Sequence, residues 1–236
     1  MHKLKQWYQD LNLQSKFTLV LLLIVSIPAI AIIFFFYGKA YDMVVSYTIR
    51  QEQDRSAETA PLIEESIQKV LDVSEEISSL DFYQTLFKNA LTESFTDLAD
   101  SPDAASFSRK VDQLIAGTPV TNVKIYMEVP KDSPSDINAL FDKEDLKDTF
   151  LSLDQVRGTY WYGIFRGSRV SQLFCPSFYL GTKEQKAYGD QAYITHASVI
   201  YNNGTYDAYM AVYYSGHDFQ QILSENLTLD GSVSYI

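Results

Sequence analysis

The sequence predicts an α+β fold in which a long helix lies on one face of an antiparallel sheet. Three observations predict it. An uncharged apolar run near the N-terminus leads into a helical pattern. A segment around Val123 alternates apolar and polar residues. Two β-rich segments late in the chain flank Asn203-Gly204, a strong hairpin signal.

The apolar run Phe17 to Tyr37 holds 21 residues without a charge. At about 1.5 Å per residue a helix of that length crosses roughly 30 Å, the thickness of the bilayer hydrocarbon. Lys16 and Lys39 bracket it, and Trp7, Tyr8 and Tyr37 suit the membrane interface. Pro28 is a candidate kink, of a kind transmembrane helices tolerate. A cleaved signal peptide would carry an apolar stretch of about 7–15 residues, shorter than this run. Gly38-Lys39-Ala40 is only a faint cleavage site. Lys3, Lys5 and Lys16 face only Asp10 before the run, so the positive-inside tendency places residues 1–16 in the cytoplasm, 17–37 in the membrane and 38–236 outside.

The net charge is −11, and the acidic excess lies almost wholly after the apolar run. Such a segment repels phosphate backbones and anionic membrane surfaces, which excludes a nucleic-acid binder. The single cysteine, Cys175, forms no internal disulfide and reads as a small core residue.

Residues 38–86 read as a long helix. Ile63, Ile67, Val70, Ser74 and Ile77 recur at alternating spacings of four and three, the seam of a helix packing along another surface. Pro61 is expected to begin a second helical segment. Glu64, Glu65, Glu75 and Glu76 lie off the seam and read as a solvated face rather than paired catalytic carboxylates. Residues 87–103 read as a polar loop, and Ala104 to Ala116 as a helix ended by Gly117. Val123, Ile125, Met127 and Val129 alternate with Lys124, Tyr126 and Glu128, which predicts a half-buried strand. A turn-rich loop follows from Pro130 to Asp136, then short helical pieces over 137–155. Tyr160 to Phe165 is expected to be a strand. Ala192 to Tyr201 and Tyr206 to Tyr214 form the hairpin, Asp218 to Glu225 a short helix, and Val233 to Ile236 the start of a further strand. A strand without a partner at the last residue implies a fragment of a longer chain.

No phosphate-binding glycine loop, zinc-protease motif or nucleophile elbow occurs, so no catalytic role and no cofactor or metal is expected. His196 and His217 are too far apart in sequence to suggest a metal site, and His196 reads as a structural histidine on a strand.

The basic tail, the apolar helix over Lys16 to Tyr37, the polar helix over Ile63 to Phe82 and the hairpin-plus-helix over Tyr193 to Leu223 together resemble the N-terminal half of YesM-type sensor histidine kinases. That resemblance implies an extracytoplasmic double-Cache region of PAS-like modules, with 87–230 as the membrane-distal module and 231–236 as the start of a second, truncated one. It implies a homodimeric two-component receptor whose kinase lies outside this chain. Chemoreceptors and transmembrane transcription regulators share this front end. The implied partner is a small molecule, such as a sugar, an amino acid or another small polar compound, or a ligand-loaded binding protein. Amino-acid-sensing members carry Arg-x-Trp-Tyr and an aspartate on the last strand. Trp161-Tyr162 and Asp207 match this pattern, whereas Thr159 stands at the arginine's place and Arg157 two residues before it. Neutral polar ligands, which stack on aromatic rings, therefore stand beside amino acids. Trp161 is the expected platform, with Tyr126, Tyr193 and Asp207 beside it; the structural alternative for Trp161 is a core residue under the long helix.

Overall fold

The computed structural model describes residues 12–89, 91, 94–129, 135–202 and 204–226. They form two compact units that meet at Glu58 and Thr59. Helix α1 (Leu13–Ser79) belongs to both.

In the first unit α1 carries the apolar run. It is long and apolar enough to cross a membrane, and the side chains of the run are exposed. Tyr41, Met43, Val44 and Tyr47, beyond the run, are exposed as well. The helix passes through Pro28 and Pro61 without interruption, so Pro61 does not begin a new segment.

The second unit is α+β. After α1 come α2 (Asp81–Phe87), α3 (Phe95–Ala99) and α4 (Pro102–Ile115). The segment read as a loop over 87–103 thus contains α3. The Ser94 and Ser101 hydroxyls cap α3 and α4 by accepting from the amides of Asp97 and Ala104, each at 3.1 Å. Gly117, at φ 77°, closes the turn after α4 in a conformation that costs glycine little.

Strand β1 (Val120–Met127) follows, then α5 (Ala139–Asp142) and β2 (Phe150–Ser152). Next come α6 (Tyr160–Gly167), β3 (Gln172–Cys175) and α7 (Thr182–Tyr188). Strands β4 (Gln191–Tyr201) and β5 (Gly204–Tyr214) make the hairpin, and α8 (His217–Asn226) follows it. Residues 130–134 and 231–236, the predicted turn-rich loop and terminal strand, lie outside the described residues, as does Asn203.

The five strands are ordered β2-β1-β5-β4-β3. β5 pairs antiparallel with β1 and β4, and β4 with β3, but β1 and β2 run parallel, Ile125 opposite Phe150. The expectation of an antiparallel sheet is thereby corrected to a mixed one. The 22 residues separating β1 from β2 carry the chain back to the same end of the sheet, which a tight hairpin cannot do.

The expected helices on one face are corrected too, because both faces are covered. On one, Val70, Val73 and Ile77 of α1 join Phe82, Phe107, Val123, Ile125, Met210 and Val212 in the larger core. The α1 seam thus packs on its own sheet, while Glu64, Glu65, Glu75 and Glu76 face solvent. On the other face Trp161, Tyr162 and Phe165 of α6 pack with Tyr126, Ile194, Tyr209 and Tyr213 in a second core. β1 is consequently buried on both sides: Tyr126 is buried, and Lys124 is covered although its position alternates with Val123. Burial lowers the Lys124 ammonium pKa below its ordinary value, with Asp148 and Asp112 opposing that shift. Its Nζ donates to the Asp148 carbonyl and lies over the Tyr188 ring.

Candidate functional site

The largest correction falls at Tyr160 to Phe165, expected as a strand and observed within helix α6. Six residues rich in aromatics satisfy either pattern locally. The helix wins because it gathers Trp161, Tyr162 and Phe165 against Tyr209, with ring centroids 5.6, 5.8 and 5.1 Å away respectively. A strand would send Trp161 and Tyr162 to opposite sides.

A buried carboxylate ties this layer together. Glu184 on α7, 5% exposed, accepts from the Trp161 indole N–H at 3.1 Å and from the Gly181 amide at 3.0 Å. The Tyr213 hydroxyl also donates to it, and the Tyr213 and Tyr126 hydroxyls share a hydrogen bond of 2.8 Å. Burial, the neighbouring phenol and Glu184 hold the Tyr213 hydroxyl far above the usual tyrosine range. These bonds satisfy a carboxylate that would otherwise be costly to bury.

The sequence-predicted residues therefore divide. Trp161 is fully buried on the face away from α1, its N–H committed to Glu184 and its ring 6.2 Å from Tyr126. Tyr126 is buried with it. Tyr193 sits on the opposite face, where its hydroxyl donates to Gln172 and its ring packs on Phe174. Asp207 shares the Trp161 face of the sheet but stands at its rim, with half of its side chain exposed, and pairs with His196 Nε2 at 3.0 Å. Arg157 is committed to acids, Asp154 at 2.6 Å and Glu128 at 3.8 Å. Thr159 turns its hydroxyl to the Val156 carbonyl.

Beside that rim lies a cleft of about 400 Å³ lined by Phe165 and Arg166 of α6, residues 168–171, His196, Asp207 and Tyr209. The α6 helix, seated by Trp161 and Phe165, presents Arg166 at its last turn. The backbone N–H of His196 donates to the Ser171 carbonyl at 2.8 Å, which fixes the turn before β3 against β4. The His196 ring lies 5.1 Å from the Tyr209 ring. Burial pushes the Tyr209 hydroxyl up to about 12; Asp207 adds to that and Arg166 opposes it.

Two other clefts have different chemistry. One of about 390 Å³ beside α4 and β1 holds Arg109 and Lys124 together with Asp112, Glu144, Asp145 and Asp148, so its two cations are outnumbered by its acids. One of about 560 Å³ between α1, α2 and β4 mixes apolar and polar lining around Tyr83, Phe87 and Tyr193. Sequence reasoning found Asp207 but missed Arg166, Arg169, Glu184 and the exposed position of His196. The signal was present as Arg166-Gly-Ser-Arg169, a local pair of cations in a strongly acidic segment.

Comparison of the chain with protein-family models, with curated proteins and with solved structures finds no match.

Proposed function

We propose that this chain is the ligand-sensing input region of a bacterial transmembrane signalling receptor, with residues 1–16 cytoplasmic and the sheet domain outside the cell. One observation carries the reading. A helix that is apolar enough to cross a membrane continues into the helix whose seam packs on one face of the sheet, while the other face is covered by short elements that leave a polar cleft. PAS-like Cache modules have that arrangement of long helix, sheet and ligand-bearing loop layer. The resemblance to YesM-type sensor histidine kinases supports the same reading, and in such a receptor the kinase lies elsewhere. On this reading the chain binds a small polar molecule and catalyses nothing.

The test is a thermal-shift screen of the full chain in lipid nanodiscs with amino acids, sugars and carboxylates. A ligand at a hundred times its dissociation constant adds about 2.7 kcal/mol of stability, which such a screen detects. Silence toward every class favours a module that docks a ligand-loaded binding protein, or a structural anchor.

A further inference from the structure

We infer that the cleft beside β4 and β5 is a binding site for a small anion, a carboxylate or a phosphate, gripped by Arg166 and Arg169. The inference rests on the ligand-sensing reading and names the ligand class and the residues. Both guanidiniums line the cleft, and neither has an ion pair among the described residues. Arg157, a few residues earlier, is by contrast held by two carboxylates, as an arginine with no ligand to bind is expected to be. The chain carries −11 in total, so two unanswered cations in one concavity run against its overall balance. A concave site focuses that local field, and guanidinium forks match the geometry of carboxylate and phosphate oxygens.

The remaining lining sets the charge of the guest. Asp207 brings one negative charge to the lining and is held by His196 at 3.0 Å, so the two arginines leave the cleft with a cationic surplus. An anion balances it; a neutral sugar leaves it unanswered. The Ser171 hydroxyl offers a further donor, the Ser168 hydroxyl being spent on the Ile164 carbonyl at 2.7 Å, and Phe165 and Tyr209 give an apolar wall. The volume, about 400 Å³, lies within the range of small-molecule sites. Asp207 serves here by holding His196, not by meeting the ligand.

The experiment uses the full chain in nanodiscs with succinate, citrate and inorganic phosphate as probes, a neutral sugar and a neutral amino acid as controls, and the Arg166→Gln/Arg169→Gln double variant. Both arginines are exposed, so the variant retains the parent's unliganded melting temperature. The expected result is binding of at least one anion, weakened at least about tenfold in the variant and weakened by added salt. Succinate or citrate without phosphate identifies a carboxylate site, and the reverse a phosphate site. Anion binding unchanged in the double variant overturns the assignment. So does a response to sugar or amino acid alone, which leaves the ligand-sensing reading intact. No response to any compound overturns both.

Discussion

The indole N–H of Trp161 donates to the carboxylate of Glu184 at 3.1 Å, and this bond joins α6 to α7 beneath the second face of the sheet. Glu184 also receives the Tyr213 hydroxyl and the Gly181 amide. Replacement by alanine removes the acceptor shared by three donors. Glu184→Ala is expected to destabilise the domain by about 3 kcal/mol, and Trp161→Phe, which removes a single donor, by less. In a double-mutant cycle read by thermal unfolding the two changes should couple by about 1 kcal/mol. Strict additivity would show that the bond contributes nothing.

Cys175 is fully buried, and burial pushes its thiol up to about 12, with Glu184 adding to the shift. The thiolate is the reactive form. Maleimide at neutral pH should therefore leave the native chain unlabelled and modify it fully in denaturant. Rapid native labelling would place Cys175 at the surface.

Tyr83 and Tyr214 also have hydroxyls pushed up to about 12, chiefly by burial. An unfolded tyrosine ionises near 10, so above that pH the folded state holds more protons than the unfolded state. Stability from these residues is complete below about pH 10 and is lost as pH rises toward 12. Alkaline titration followed by phenolate absorbance should show Tyr83 and Tyr214 ionising together with unfolding.

The proposed topology makes a separate prediction. Protease added to intact cells should digest the sheet domain and leave a short membrane-protected remnant around residues 17–37. Protection of the whole chain would reverse the orientation.

Single cysteines at positions 45–60, in a Cys175→Ser background, test the proposed homodimer. Crosslinking should peak every three or four residues, the period of a helix facing its partner. The exposed apolar residues Val44, Tyr47 and Ile49 mark the start of that stretch. Crosslinks without periodicity would argue against a helical dimer contact.

Long, repetitive signals were legible in the amino-acid sequence alone. The apolar run, the α1 seam from Ile63 to Ile77 and the β4–β5 hairpin all rest on patterns that local geometry imposes on the chain. So does the helix stop at Gly117. Short aromatic segments were not legible in this way. Tyr160 to Phe165 fits a strand or a helix equally well, and packing on Tyr209 decided between them. The alternation in β1 described one buried face, but the second layer covered the other, because a sequence pattern cannot count the layers stacked on a strand. Tertiary structure alone separated Tyr193 from Trp161 across the sheet, and it alone brought Arg166, Arg169, His196 and Asp207 to one cleft. Those residues come from three segments of the chain, and their electrostatic meaning exists only once the fold has made them neighbours.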